Sequence, residues 1–203
     1  GNAFHSIVNC ILERRNGEIL ISGNILVSLH EDQAGQLVVK PVELPVPTDM
    51  LSYMAEDHEG NLWLVRNGKW LYCVPPSGKA MTYSFIKNEG SISNLCIDTY
   101  GNVLIGTGGD GLFIYRRQSD DFQQIEAPEI KGLRVKEILS DSRVGTIIGS
   151  DGNGIYSFNS RDLSLKRFPF GDGHFSTENA KVHSILCDSS GNLWVALYQK
   201  GVM

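Results

Sequence analysis

The fold is decided by the stretch Asp98-Thr99-Tyr100-Gly101-Asn102-Val103-Leu104-Ile105, which returns in recognisable form along the whole chain. Its Asp and its Gly suit a tight turn, because Asp supplies a side-chain acceptor and Gly tolerates a positive φ angle. An apolar run follows the turn, and another precedes it between Ile92 and Ile97. The stretch therefore predicts a β-hairpin, made of a strand, a turn and a second strand.

The same turn occurs five times, and its first residue is taken as the anchor of each copy. The anchors are Arg14, Asp57, Asp98, Asp141 and Asp188, which are 43, 41, 43 and 47 residues apart. Three residues after them stand Gly17, Gly60, Gly101, Val144 and Gly191, so that only the fourth copy lacks the glycine. A fixed period of this length indicates a repeat architecture in which each copy is one structural unit.

Each repeat continues with two further strands, for example Leu112 to Tyr115 and Phe122 to Ile125. The second strand, as in Leu62-Trp63-Leu64, is apolar on consecutive residues, which indicates that both of its faces are covered. No intervening stretch has a helical period, so the covering must come from neighbouring sheets. A repeat of about 43 residues with four strands is typical of a β-propeller blade. The rival architectures are a β-sandwich and a parallel β-helix, but a β-helix needs shorter repeats and a sandwich does not explain the recurring hairpin.

We therefore predict an all-β fold, a β-propeller of four-stranded antiparallel blades, here an incomplete run of about 4.5 blades. The single domain 1–203 divides into blades at about 4–49, 50–90, 91–131 and 132–178, with a partial blade at 179–203. An unfinished blade leaves apolar sheet faces open at both ends of the run. We accordingly expect this chain to be a fragment of a larger propeller and to pack against the remaining blades of that propeller.

The charge of the chain argues against two classes of partner, and its cysteine spacing argues against disulfide bonds and metal sites. The formal net charge is −5, and the 18 Lys and Arg residues are scattered. Nucleic acid and anionic membranes are not expected partners, because both need concentrated positive charge. The four cysteines, Cys10, Cys73, Cys96 and Cys187, have no metal-ligand spacing, and each sits in an apolar stretch. They are predicted to be small buried hydrophobic residues rather than disulfide or metal partners.

Two motifs in the sequence resemble ligand sites but favour turns instead. Gly106-Thr107-Gly108-Gly109-Asp110-Gly111 fits a dinucleotide-binding pattern, yet a strand follows it where that chemistry needs a helix. Asp151-Gly152-Asn153-Gly154 begins like a calcium loop but lacks the later acidic ligands. No catalytic residue, no metal ligand and no cofactor is therefore predicted.

The segments Asp57-His58-Glu59-Gly60-Asn61-Leu62-Trp63-Leu64 and Asp188-Ser189-Ser190-Gly191-Asn192-Leu193-Trp194-Val195 resemble the two-component regulator propeller repeat. The resemblance covers nearly the whole chain, although Arg14 replaces the anchor Asp, Val144 the turn glycine and Trp70 a later glycine. It implies the periplasmic sensor region of an inner-membrane hybrid two-component system (hybrid histidine kinase/response regulator) of gut bacteria. It further implies a homodimeric receptor that detects oligosaccharides, with the histidine kinase activity elsewhere in the full-length protein.

Propeller ligands usually meet loops at one end of the channel, namely the connection into each innermost strand and the loop between the second and third strands. The candidate ligand-binding residues on these loops are Arg66, Lys69, Asn94, Asp110, Arg134, Lys136, Asp151, Asn153, His183 and Tyr198. The same loops also carry Asn67, Asn88, Glu89, Phe175, Asn179 and Lys200. Planar side chains beside amides and charged groups suit a sugar. Trp63 and Trp194, by contrast, are predicted to pack between blades.

Three functions remain open from the sequence. The leading one is a non-catalytic, ligand-sensing extracytoplasmic domain whose ligand is an oligosaccharide or another small molecule. A propeller scaffold that binds another protein is the first alternative. A propeller lyase or glycosidase is the second, since isolated acids on propeller loops form such sites in other families.

Overall fold

A computed structural model describes residues 7–84, 91–127, 132–168 and 178–203. In these residues nineteen β-strands form five antiparallel sheets, and every element is a strand or a turn. Within the same ranges, no helix has the length and apolar character needed to cross a membrane. The chain divides into two compact units, Gly1–Ser84 and Phe85–Met203.

The first unit holds two sheets, in which each strand pairs with the next along the chain. Blade 1 consists of β1 (Cys10–Glu13), β2 (Ile19–Ser22), β3 (Leu26–Glu31) and β4 (Leu37–Pro41). Blade 2 consists of β5 (Leu51–Glu56), β6 (Leu62–Arg66), β7 (Trp70–Val74) and β8 (Met81–Tyr83). Leu20 and Leu26 of blade 1 pack with Leu64 and Tyr72 of blade 2, so the core of this unit lies between its sheets.

The second unit holds three sheets of the same topology. Blade 3 consists of β9 (Ile92–Ile97), β10 (Val103–Thr107), β11 (Leu112–Arg116) and β12 (Asp121–Gln124). Blade 4 consists of β13 (Val135–Asp141), β14 (Gly145–Ser150), β15 (Ile155–Asn159) and β16 (Ser164–Arg167). Blade 5 consists of β17 (Val182–Cys187), β18 (Leu193–Leu197) and β19 (Gly201–Val202). One core cluster joins blades 3 and 4, and another joins blades 4 and 5.

The prediction of propeller blades is confirmed. Four sheets have four strands and the last has three among the described residues, which matches the predicted incomplete run. The second strands are also covered as expected, since Leu62–Val65 and the whole of β10 are buried. The chain therefore has an all-β propeller fold whose sheets bury apolar side chains against their neighbours in each unit.

The anchor carboxylate organises its turn. One oxygen of Asp57 accepts the backbone N–H groups of Glu59 and Asn61, and the other accepts the Asn61 amide at 2.9 Å and Trp63 Nε1 at 3.0 Å. Asp188 repeats this pattern with Ser190, Asn192 and Trp194. Burial acts to raise the pKa of Asp57, but the hydrogen bonds from Trp63 and Asn61 outweigh it and lower that pKa.

The two copies that depart most from the motif use arginine instead. In blade 1, Arg14 forms an ion pair of 2.8 Å with Glu56, and Arg15 donates to the carbonyl of His58 in blade 2. In blade 4, Arg143 donates to the carbonyl of Asp188 in blade 5 at 2.6 Å. Each of these arginines thus ties its own turn to the anchor turn of the following blade.

The two tryptophans of the repeat differ in burial. Trp63 is 1% exposed, so its predicted burial is confirmed, and its ring stacks on Tyr83 of the same blade at 5.6 Å. Trp194 is 48% exposed, so the prediction that it is buried between blades was wrong. Trp194 shares its sheet face with Leu186 and Val202, which are exposed as well, so among the described residues no sheet covers this face of blade 5.

Two sheet faces are open, in agreement with the expectation of uncovered apolar faces. Blade 1 exposes Ile25 and Val39 around an apolar hollow of about 230 Å³. Blade 5 exposes Leu186 and Val202 on the face that carries Trp194.

The four cysteines are free thiols. Cys73 is buried and the other three are half-buried, in line with the predicted apolar role. Burial raises the pKa of Cys10 to about 11 and that of Cys96 to about 12. Both therefore remain protonated and unreactive at neutral pH.

Glycine at the end of the second strand allows neighbouring blades to approach closely. A Cβ atom on Gly149 of blade 4 would lie 2.5 Å from Val182 Cγ1 of blade 5, and one on Gly106 would lie 2.4 Å from Val135 Cγ1. Real Cβ atoms do not approach a neighbour this closely, so a larger residue must push the two sheets apart.

Gly149→Ala should lower the free energy of unfolding by about 1–3 kcal/mol, because the added methyl group overpacks the contact with Val182. Gly109→Ala is the matched control, since its Cβ meets nothing within 4 Å. Chemical denaturation of the two variants measures the difference. Equal stability of both would show that the sheets can separate without cost.

The hydrogen bonds of the Asp188 turn predict how its contribution to stability depends on pH. Hydrogen bonds from Trp194 and Asn192 lower the pKa of this carboxyl to about 2, whereas the pKa of Asp in an unfolded chain is about 3.9. The contribution of Asp188 to stability is therefore complete above about pH 4 and is lost as the pH falls towards 2. The Trp194 indole N–H resonance should titrate with a midpoint near pH 2, and Asp188→Asn should abolish that titration. A midpoint near 4 would contradict the described hydrogen bonds.

Candidate functional site

In each of blades 2 to 5, three positions of the repeat lie near the end of the second strand, which is β6, β10, β14 or β18. Each position stands a fixed number of residues from the anchor of its blade. The lead-in position, seven residues before the anchor, holds Met50, Ser91, Arg134 and Lys181. The bulge position, five residues before it, holds Ser52, Ser93, Lys136 and His183. The loop position, ten residues after it, holds Asn67, Gly108, Asp151 and Tyr198.

The backbone makes the same connection at these positions in blades 2 to 5. The N–H of the loop position donates to the carbonyl of the lead-in position at distances of 2.8–3.1 Å. These bonds join Asn67 to Met50, Gly108 to Ser91, Asp151 to Arg134 and Tyr198 to Lys181. The hydrogen bond does not depend on the side chain, so each position can vary in chemistry without loss of this geometry.

A β-bulge occurs in the first strand of the same four blades. The pairing register skips Ser52 in β5, Ser93 in β9, Lys136 in β13 and His183 in β17. A bulge inserts one residue and re-aims its side chain, and bulges are common beside binding sites. The bulge residue lines a cleft together with the loop residue in two of these blades, Ser52 with Asn67 in blade 2 and Lys136 with Asp151 in blade 4.

Blades 4 and 5 of the second unit form a cleft at these positions. Its volume is about 260 Å³, and it is lined by Lys136, Asp151, Lys181, Val182 and Tyr198. The Lys181 ammonium lies 5.9 Å from the centre of the Tyr198 ring. The cleft thus combines cations, one carboxylate and an aromatic face that is 59% exposed.

One further cation borders this cleft. Arg134 Nη1 lies 4.0 Å from Asp151 Oδ2, and the Arg134 side chain is mostly exposed. An exposed ion pair of this length contributes little to stability. Arg134 is therefore free to reorient towards a bound molecule at little cost.

A hydroxyl side chain braces the loop that carries Asp151. Ser150 Oγ donates to the Gly154 carbonyl at 2.7 Å and accepts the Asn153 N–H at 3.0 Å. Thr107 braces the corresponding loop of blade 3 through Gly111 and Asp110. The glycine-rich segment at 106–111 is therefore a braced turn between two strands, as the sequence predicted, and the segment at 151–154 has the same form.

The predicted site residues fall into two groups. Lys136, Asp151 and Tyr198 come together in the cleft, and Arg134 pairs with one of them. The others lie apart from it: His183 is exposed at the bulge position of blade 5, and Asn153 lies on the braced loop, where its carbonyl accepts a hydrogen bond from Arg167.

Several predicted residues make contacts within the fold. Asn94 is 6% exposed and donates to Glu137 Oε1 at 3.2 Å. The Asp110 carbonyl accepts a hydrogen bond from Gln124. Burial raises the pKa of Glu137, and the hydrogen bond from Asn94 acts in the opposite direction.

In the first unit, the Arg66 guanidinium pairs with Asp49 at 2.7 Å, and Lys69 lies 5.9 Å from the Trp70 ring centre. A separate cleft of about 400 Å³ in this unit is lined by Val8, Asn9, Met50, Ser52 and Asn67.

The remaining predicted loop residues lie outside the cleft or outside the described ranges. Asn179 and Lys200 are exposed and do not line it. Asn88, Glu89 and Phe175 fall outside the residues that the structure describes.

Lys181 and Val182 line the cleft but were absent from the predicted set. A signal for Lys181 was present, because it stands at the same distance from its anchor as Arg134. That equivalence does not indicate whether a side chain at the lead-in position reaches the cleft, because this depends on the packing of two adjacent blades. No group of three or more His, Cys, Asp or Glu side chains suited to a metal ion occurs within residues 7–84, 91–127, 132–168 and 178–203.

Comparison with known families finds a match at residues 177–199, to the family described as two component regulator propeller. This stretch includes the anchor Asp188, Trp194 and two cleft residues, Lys181 and Tyr198. No curated protein sequence matches the chain significantly.

Solved structures share the fold. A catalytically inactive virginiamycin B lyase from Staphylococcus aureus, solved with quinupristin, is 16% identical with a TM-score of 0.70, and the match covers 100% of this chain and 67% of the lyase. The extracellular domain of BT3049 from B. thetaiotaomicron, described as belonging to a hybrid two component system, is 18% identical with a TM-score of 0.68, covering 96% of this chain and 26% of that one. The corresponding domain of BT4673 is 19% identical with a TM-score of 0.64, covering 97% and 31%.

These similarities establish the propeller fold of the chain. The chain spans about a quarter to a third of the two B. thetaiotaomicron domains. At these identities the lyase and the sensor domains alike are evidence of shared fold alone.

The brace of the blade 4 loop can be tested directly. Ser150→Ala removes both side-chain hydrogen bonds, so the Asn153 amide should exchange with solvent about tenfold faster and stability should fall by about 1 kcal/mol. Ser157→Ala is the control, because that hydroxyl makes one long bond of 3.4 Å in the same blade. Unchanged exchange at Asn153 would show that the backbone alone holds the loop.

Proposed function

We propose that the chain is a ligand-sensing propeller domain of a hybrid two-component sensor kinase, and that it binds an oligosaccharide at the cleft of blades 4 and 5. The domain itself is non-catalytic, and the histidine kinase belongs to another part of the full-length protein. The proposal places the domain in the periplasm, as part of a homodimeric inner-membrane receptor. The match of residues 177–199 to the regulator propeller family and the fold shared with extracellular domains of two such systems support this.

The observation that carries the proposal is the exposed ring of Tyr198 in a cleft with lysine and aspartate side chains. Sugars have apolar ring faces, which pack on aromatic rings, and hydroxyl groups, which need directed hydrogen bonds. The backbone bond from Tyr198 to Lys181 and the brace at Ser150 hold both sides of the cleft in place. A preformed site of this kind loses little conformational entropy when a ligand binds.

The cleft also suits a sensor because two blades supply its walls. Lys136 and Asp151 belong to blade 4, and Lys181 and Tyr198 to blade 5. A ligand that contacts both blades favours arrangements in which they keep this spacing. A ligand that binds one arrangement of the blades more tightly than another increases the fraction of receptors in the first arrangement, which is the basis of sensing.

Tyr198→Ala should weaken oligosaccharide binding at least about tenfold, since the loss of an aromatic contact costs roughly 1.4 kcal/mol or more. Tyr100→Ala is the matched control, because Tyr100 is also an exposed tyrosine with a cation over its ring, that of Arg161 at 4.3 Å, but it does not line the cleft. Isothermal titration against a panel of acidic, neutral and host-derived glycans provides the measurement.

Both variants should keep the unfolding midpoint of the parent chain, because both rings are more than half exposed. The proposal fails if no glycan binds the chain, or if a binding glycan is insensitive to Tyr198→Ala.

A further inference from the structure

The four blades compared above differ in charge at equivalent positions. The lead-in, bulge and loop positions of blades 2 and 3 hold only uncharged residues: Met50, Ser52, Asn67, Ser91, Ser93 and Gly108. Blades 4 and 5 hold basic or acidic side chains at five of their six positions, and the sixth, the loop position of blade 5, holds Tyr198.

The fold does not require these charges. Blades 2 and 3 form the same backbone hydrogen bond and the same bulge with neutral side chains. Arg134, Lys136 and Lys181 are exposed, so no buried partner demands their charge. Placing cations close together on a surface costs repulsion, which here is relieved only by Asp151 among the residues that line the cleft.

The charge of the cleft is opposite to that of the chain. The formal net charge is −5, yet Lys136 and Lys181 line the cleft, Arg134 borders it, and Asp151 is its only carboxylate among the described lining residues. A local reversal of charge in a concave surface is the usual means of attracting a ligand of the opposite sign. The groups that face a bound molecule are thus mainly hydrogen-bond donors with positive charge.

The arrangement of ring and cation limits the shape of that ligand. The Lys181 ammonium lies beside the Tyr198 ring, 5.9 Å from its centre. A sugar ring packed on Tyr198 therefore brings its substituents within reach of an ammonium group. A volume of about 260 Å³ is below the roughly 300–1,000 Å³ of sites for drug-sized ligands, which suits one sugar unit of a longer chain.

We propose that the cleft of blades 4 and 5 selects an anionic sugar unit, with its carboxylate or sulfate bound by Lys136 and Lys181 and its ring packed on Tyr198. This inference rests on the proposed oligosaccharide-binding function and adds the ligand class to it. Charge-assisted hydrogen bonds from the two ammonium groups hold the acid group. Arg134 can leave its ion pair with Asp151 to add a third donor.

The experiment compares trigalacturonate with galactotriose, which differs in bearing CH₂OH groups in place of carboxylates, and adds a chondroitin sulfate tetrasaccharide and inorganic sulfate. Titration of the 203-residue chain at low salt should show binding of one or both acidic saccharides at least about tenfold tighter than galactotriose. Raising the salt concentration should weaken the acidic saccharides and leave galactotriose unchanged.

Lys136→Gln should weaken binding of the acidic saccharide about tenfold, and the double variant with Lys181→Gln about a hundredfold. Lys166→Gln is the matched control, because Lys166 is an exposed lysine of the same unit that does not line the cleft. Circular dichroism and the unfolding midpoint should remain those of the parent chain in all three variants.

Two outcomes overturn the inference and leave the proposed function intact. One is equal affinity for trigalacturonate and galactotriose with unchanged binding in the lysine variants. The other is binding of a neutral glycan that only Tyr198→Ala affects. Sulfate that binds as tightly as either acidic saccharide contradicts the role assigned to the sugar ring. Absence of binding by every saccharide contradicts the proposed function itself.

Discussion

A carboxylate that accepts four hydrogen bonds within its own turn sets the geometry of the repeat. Asp57 fixes two backbone N–H groups, one amide and one indole, and thereby joins the turn to the strand that follows it. In blade 2 the turn thereby fixes the register of the hairpin. The lead-in, bulge and loop positions stand at the same distance from the anchor in four blades, including blade 4, where Asp141 accepts the backbone N–H of Arg143 in place of this network.

The hairpin separates structural from variable residues. One end carries the anchor turn, where Asp, Gly, Asn and Trp serve packing and hydrogen bonding. The other carries the lead-in and loop positions, which are joined through backbone atoms alone. The side chain at the lead-in position takes no part in this bond, and this explains how Met50, Ser91, Arg134 and Lys181 occupy one position of the same repeat. The close contacts at Gly106 and Gly149 lie near this end and keep neighbouring blades together.

Most of the fold was predictable because the same turn and the same apolar strands recur in five copies, so that each copy supports the interpretation of the others. The recurring turn predicted the hairpins, and consecutive apolar residues predicted that the second strands are covered on both faces. Trp194 was predicted wrongly because the sequence motif encodes its hydrogen bond to Asp188, whereas its burial depends on packing partners elsewhere. Within the candidate site, loop residues such as Tyr198 could be selected from the topology. The contribution of Lys181 could not, since it depends on how two adjacent blades converge.

The space around the loop position of blade 3 bears on how such chains diversify. Gly108 has room for a side chain, since a Cβ there would meet Ser91 only at 3.5 Å or beyond. The basic and acidic side chains of blade 4 can thus be accommodated in blade 3 at Ser91 and Gly108 without disturbing the anchor turn, whereas Ser93 Oγ donates to the Val135 carbonyl of blade 4 at 2.6 Å. Within one repeat, the anchor turn contributes to stability, whereas the lead-in and loop positions are available for recognition. A lineage built on this repeat can acquire new specificities by substitution at the lead-in and loop positions, where the four blades already differ in charge and size.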